Sequence, residues 1–178
     1  CRSLNRDCMS ATSEIQLSPV VQALENGLTV VAENLPYVHS VSVGVWVKTG
    51  SANEVGEVAG ISHFLEHMVF KGTETRTARE LMEEIESRGG HLNAFTSKEY
   101  TCYYVKMLDQ HLDVGLDILS DIMKHNVYSD LEKERNVILE EIAAGVDVPD
   151  DHIHDMMAGK VWPGHALGRP IAGDHDTV

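Results

Sequence analysis

Cysteine and basic side chains are scarce in this chain. Its three cysteines, Cys1, Cys8 and Cys102, are odd in number and widely spaced, so neither a disulfide framework nor a cysteine-rich zinc knuckle can be read from them. A reducing compartment is the default. Only 14 lysines and arginines stand against 28 aspartates and glutamates, a formal net charge of -14, so the clustered cations that neutralise nucleic-acid phosphates are missing. No apolar run approaches the roughly 20 residues of a membrane-spanning helix, and the opening CRSLNRDC lacks the apolar core of a secretory signal. Nucleic acid and membrane are therefore not expected as partners. The expected compartment is the cytoplasm, although a mitochondrial matrix protein trimmed of its transit peptide would read the same way.

What is present suffices for one sizeable core, with 43% hydrophobic residues in 178. Residues 1–17 are polar and irregular and are expected to form a flexible or artificial tail, with Met9 at a place where a natural start could lie. Residues 18–178 are expected to form a single unit. Residues 20–24 and 28–32 are apolar runs around Glu25-Asn26-Gly27, and Asn-Gly favours a hairpin turn. Residues 40–47 alternate with period two, the pattern of a half-buried strand. Ile61, Phe64, Leu65 and Met68 form a helical stripe, and Gly72 is expected to close that helix. Thr77 with Glu80 is a capping box that opens a helix through about residue 88. A strand, bent or interrupted near Ser97-Lys98, is expected over residues 91–107. Leu112, Leu116, Leu119 and Met123 mark a further helix, and Ser129 with Glu132 is expected to cap another through about residue 144. Strands come first, then helices and strands mixed. The fold class this implies is α+β, with a mainly antiparallel sheet packed with helices.

The chemistry concentrates in His63-Phe64-Leu65-Glu66-His67. Histidines four apart on a helix project from one face about a turn apart, so both can reach one ion. At about 100° per residue, His63, Glu66 and His67 cluster opposite the apolar stripe, which is expected to anchor the helix and leave the polar face for chemistry. Zinc accepts imidazole nitrogen, and a catalytic zinc site uses three protein ligands and one open position. Two histidines leave one ligand to find. The competing reading is a pair of solvated histidines beside an exposed glutamate, and the clean separation of faces argues against it. His152 and His154, two apart, would diverge on a helix and are read as surface residues. Cys102 is read as a packing residue of its strand.

With HFLEH followed by MVFKGT, then GGHLNAFTSKEYTCYY, LEKERNVILEEI and HALGRPIAG, the chain resembles the pitrilysin, insulysin and mitochondrial processing peptidase family of zinc endopeptidases from about residue 20 to 173. It looks most like the catalytic subunit of the processing peptidase and its bacterial homologues. The resemblance implies one zinc ion per chain held by His63, His67 and Glu141, with Glu66 as the general base that activates water. Glu140 competes with Glu141 on spacing alone, since only one of two adjacent side chains can face the ion. The family pattern selects Glu141. It also makes Glu134 the carboxylate that orients a histidine through its other ring nitrogen.

For the substrate, the resemblance implies an extended peptide paired with an edge strand around Asn93, Ala94 and Phe95. Asp151 and Asp155 fall where processing peptidases receive a substrate arginine. A bend satisfied by Asn93 and a merely solvated acidic face at Asp151 and Asp155 are the competing readings. The family completes its cavity with a second domain or a homologous subunit, so this chain is expected to be an incomplete N-terminal peptidase domain. Noncatalytic homologues of the same fold exist, but they characteristically lose motif residues. Here all four are present.

Overall fold

The computed structural model describes residues 18–178, and the expected tail over residues 1–17 lies outside the described residues. The chain divides into two compact units after Val38. The first contains an antiparallel hairpin of β1 (Val20–Ala23) and β2 (Thr29–Ala32). Its loop, residues 24–28, is three residues longer than an Asn-Gly turn alone requires. Leu24 N–H donates to the Leu28 carbonyl at 2.8 Å, and Gly27 takes φ 88°, a left-handed conformation that costs glycine nothing.

The second unit is α+β. Its sheet runs in the order β3-β5-β4, with β3 (Ser40–Val47), β4 (His91–Thr96) and β5 (Thr101–Leu108) all antiparallel. Alternation along the strands divides the sheet into two faces. Val41, Val43 and Val45, with Leu92, Ala94, Tyr103, Val105 and Met107, point to the core. There they meet α2 (Ala78–Glu86) and α3 (Leu112–Lys124), which contribute Leu81, Ile85, Ile118, Leu119 and Ile122, all nearly inaccessible. Each such side chain stabilises the fold by about 1.5–3 kcal/mol on leaving water. Trp46, Phe95, Tyr100 and Tyr104 form an aromatic cluster on the other side, with ring centroids 5.2–6.2 Å apart.

Three further helices complete this unit: α1 (Ile61–Met68), α4 (Leu131–Val146) and α5 (Pro149–Val161). Helix α1 packs against both β4 and α4, and α5 against α4. Among the described residues no helix is long and apolar enough to cross a membrane.

The strand expected over residues 91–107 is interrupted at Ser97-Lys98 and forms a hairpin, because Ser97 N–H donates to the Tyr100 carbonyl at 2.8 Å and the Ser97 hydroxyl donates to the same oxygen. Three expectations need correction. Gly72 has φ 115° but does not close α1. That helix ends at Met68, where the Asn126 side-chain amide takes the Met68 and Val69 carbonyls at 3.3 and 2.9 Å. Ser129 does not cap α4: the N-cap is Asp130, in a left-handed conformation, and the Ser129 hydroxyl donates to the Lys71 carbonyl. Finally, the apolar stripe of α1 is not its main anchor. Met68 is fully buried, but Ile61 and Leu65 are 42% and 40% exposed and line an apolar cleft of about 410 Å³ with Phe64. The polar face, with Ser62 buried and His63 and His67 partly so, is the more enclosed one.

Candidate metal centre

Helix α1 starts without a side-chain cap of its own, since Gly60 occupies the N-cap at φ 96°. The buried Glu54 carboxylate supplies the acceptors instead, taking Gly60 N–H at 2.7 Å and Ser62 N–H at 2.8 Å. A negative charge suits the positive end of the helix dipole. Gly60 has a second reason to be glycine, because a Cβ there would lie 2.5 Å from the Ala172 carbonyl oxygen. One turn further on, the helix presents His63, Glu66 and His67 toward α4 and the end of β4.

Glu141 comes from the third turn of α4. Its carboxylate oxygens lie 3.6 Å from His63 Nε2 and 3.3 Å from His67 Nε2, and all three ligand atoms fall within 4.8 Å of one another. Ligand atoms around tetrahedral zinc stand roughly 3.3 Å apart, given bonds of about 2.0–2.1 Å, so the donor set fits such an ion. Glu140 is exposed and outside the cluster. Burial is the largest influence on the His63 ring and lowers its pKa, outweighing the neighbouring Glu141 charge. A neutral ring keeps a lone pair to offer.

Glu134, in the first turn of α4, is buried and accepts from His67 Nδ1 at 2.9 Å while pairing with Lys71 through its other oxygen. Burial would raise its pKa, but the Lys71 and His67 hydrogen bonds prevail and hold it below the ordinary carboxylate value. Glu66 is also held: the Thr96 hydroxyl, at the end of β4, donates to its Oε2 at 2.6 Å. That length is typical of a charge-assisted bond. Burial, then the Glu66 charge, pushes the Tyr103 phenol beneath up to about 12.

A cleft of about 360 Å³ opens over these groups, lined by His63, Glu66, Phe95, Thr96, Glu141, Asp155 and residues 170–172. Strand β4 forms one wall and is an edge of the three-stranded sheet. Of the residues singled out there, Asn93 is exposed and bonds the Ala94 N–H through its own side chain at 2.8 Å. Ala94 turns its methyl into the core, and Phe95 faces the cleft at 39% exposure. Asp155 is exposed in the cleft. Asp151 lies in α5, but its side chain is outside the described residues. His152 and His154 belong to no metal-ligating cluster among the described residues. Cys102 is buried and unpaired in β5.

Sequence reasoning missed Glu54, Lys71, Thr96 and the wall at residues 170–172. Each takes its place through a contact outside its own local pattern.

The family model described as Insulinase (Peptidase family M16) matches residues 29–175. A Bacillus subtilis (strain 168) protein named Uncharacterized zinc protease YmxG is 51% identical over 156 residues, which cover 86% of this chain and 38% of that one. An uncharacterized zinc protease of Mycobacterium leprae (strain TN) is 47% identical over 157 residues, covering 87% and 35%. The crystal structure of a protease from Helicobacter pylori superposes with a TM-score of 0.85 at 30% identity, covering 90% of this chain and 40% of that one. The chain thus spans about two fifths of the length of these relatives. By the extent of the family match and the likeness of fold and sequence together, this chain belongs to the insulinase family of peptidases, M16.

Proposed function

We propose that the chain carries the metal-binding half of a zinc metalloendopeptidase that hydrolyses extended peptides. The observation that carries this reading is the convergence of His63, His67 and Glu141 within 4.8 Å, next to a glutamate on the same helix face. Relatives named as zinc proteases support zinc as the ion. Zinc bound there would supply Lewis acidity that polarises a scissile carbonyl and makes a water easier to deprotonate. His63, His67 and Glu141 hold it. Glu66, pinned at Oε2 by Thr96, keeps Oε1 for the proton it takes from water and returns to the leaving amine. Glu134 fixes the His67 ring with Nε2 toward the cluster.

Substrate backbone pairs with the open edge of β4 along Asn93, Ala94 and Phe95, which gives affinity with little sequence preference. Asp155, with Asp151 as its proposed companion, favours a basic side chain near the cleavage site. Residues 18–178 are assigned to one N-terminal peptidase domain, whose cavity a second domain or a homologous subunit completes.

The test is zinc content after dialysis against a weak chelator. The wild type should retain about one zinc per chain, Glu141→Ala should lose most of it, and Glu66→Gln should keep zinc without hydrolysing peptides. Equal retention in wild type and Glu141→Ala would remove Glu141 from the ligand set.

A further inference from the structure

Lys71 lies three residues past the end of α1 and has no part in the ligand cluster. Its backbone is fixed from the loop before α4: the Ser129 hydroxyl donates to the Lys71 carbonyl at 3.1 Å, and Asn126 holds the carbonyls of Met68 and Val69. The side chain is therefore free of any duty to the turn. It reaches instead to Glu134 Oε2, whose partner oxygen Oε1 accepts from His67 Nδ1 at 2.9 Å. The Glu134 side chain is only 6% exposed, so with the ammonium in place solvent contributes little to holding it. On the other side of the same ring, Nε2 stands 3.3 Å from Glu141 Oε2. The order Lys71, Glu134, His67, ligand cluster is continuous.

The two histidines differ in this respect. His63 Nδ1 is buried with no hydrogen-bond partner among the described residues, so no acceptor at Nδ1 orients that ring. Of the two rings, His67 is the one held through Nδ1 among the described residues. Were Oε2 unheld, the Glu134 carboxylate could rotate away from Nδ1, and the ring would lose the acceptor that directs Nε2 toward the cluster.

We propose that Lys71 is a positioning residue for the metal centre, which sets zinc affinity by holding Glu134 against His67. The inference rests on the zinc reading above. Its test is zinc affinity, measured by competition with a chromogenic chelator on the 178-residue chain, for Lys71→Met, Lys71→Arg, Glu134→Gln and the double variant Lys71→Met with Glu134→Gln. Lys71→Met should weaken zinc binding about tenfold, at the lower end of what partners of ligating histidines contribute. Lys71→Arg should restore affinity to within about threefold of wild type, because a guanidinium can reach the same oxygen. The double variant should bind no more weakly than Glu134→Gln, since Lys71 acts only through that carboxylate. Thermal unfolding of the metal-free forms reads the stability cost of the lost ion pair separately: a merely structural lysine would lower the apo melting temperature with zinc affinity unchanged. Should Lys71→Met fail to fold, Lys71→Gln is measured with the same expectations. Unchanged affinity in the Lys71 variant, or additive losses in the double one, overturns the proposal while leaving the zinc reading intact. A wild type that holds no zinc overturns both.

Discussion

Replacing Glu54 by alanine should destabilise the fold by about 3 kcal/mol and loosen the metal centre with it. The carboxylate accepts two main-chain N–H groups at the start of α1, at 2.7 and 2.8 Å, and Glu54 is only 9% exposed. Hydrogen bonds to a charged group contribute about 1.5–3 kcal/mol each, and loss of a helix N-cap costs about 0.5–2 kcal/mol. These are two views of one interaction and partly overlap, so about 3 kcal/mol is the reasonable combined value. For a chain of this size about 1 kcal/mol corresponds to 2–4 °C, so the melting temperature should fall by about 6–12 °C. Far-UV circular dichroism on the metal-free chain reads this directly. Glu54→Gln keeps one acceptor oxygen and should lose about half as much. His63 follows Ser62 immediately, so zinc affinity should decline in the same order of variants. A drop below about 2 °C for Glu54→Ala would refute the idea that this carboxylate serves as the cap α1 lacks.

Asp121 offers a pH-dependent counterpart. Burial would raise its pKa, but Arg76, Thr73, Thr75 and His125 together hold it at about 2 against an ordinary 3.8. A depressed carboxyl stabilises the fold fully above its unfolded value and loses that contribution as pH falls through its folded value. Between pH 5 and pH 2 the wild type should thus lose roughly 2 kcal/mol more than Asp121→Asn in urea denaturation, and parallel losses would refute the assignment. Among the glycines, Gly60→Ala should be strongly destabilising, since its Cβ meets the Ala172 carbonyl at 2.5 Å and φ is 96°. Gly145→Ala, in α4 with nothing within 4 Å, should instead stabilise by about 0.5–1 kcal/mol. Similar melting temperatures for these two variants would contradict the close packing of residues 170–173 over α1.

What could be read from the sequence was whatever local periodicity or local capping dictates. Residues 40–47 alternate strictly, and β3 has those bounds. Thr77 and Glu80 satisfy each other within four residues, and α2 starts there. Ser129 and Glu132 have the same local signature, yet a distant carbonyl at Lys71 claims the serine hydroxyl and Asp130 takes the cap position. The turn between β4 and β5 contains neither Gly nor Pro and is closed by Ser97, so the sequence suggested a bend or interruption there without marking a hairpin turn. At the site, His63, Glu66 and His67 follow from helical spacing, while Glu141 and Glu134 needed the family resemblance to stand out in an acidic helix. Thr96, Lys71 and Glu54 had no local pattern to announce them, because their partners lie 30, 63 and 6–8 residues away.

These contacts divide the carboxylates around α1 into two kinds. Glu54 is fixed by backbone amides, Glu66 by the Thr96 hydroxyl, and Glu134 by Lys71 and His67. Among the described residues Glu141 pairs only with the two histidines, at 3.3 and 3.6 Å, and its side chain is 51% exposed. On the proposed zinc reading, three held groups would set where the ion, its water and its histidines sit, and one adaptable carboxylate would close the set. It follows that substitution of Glu141 should remove zinc with little change in the stability of the metal-free fold, whereas substitution of Glu54 should change both. The difference between those two outcomes separates residues that bind the ion from residues that build its seat.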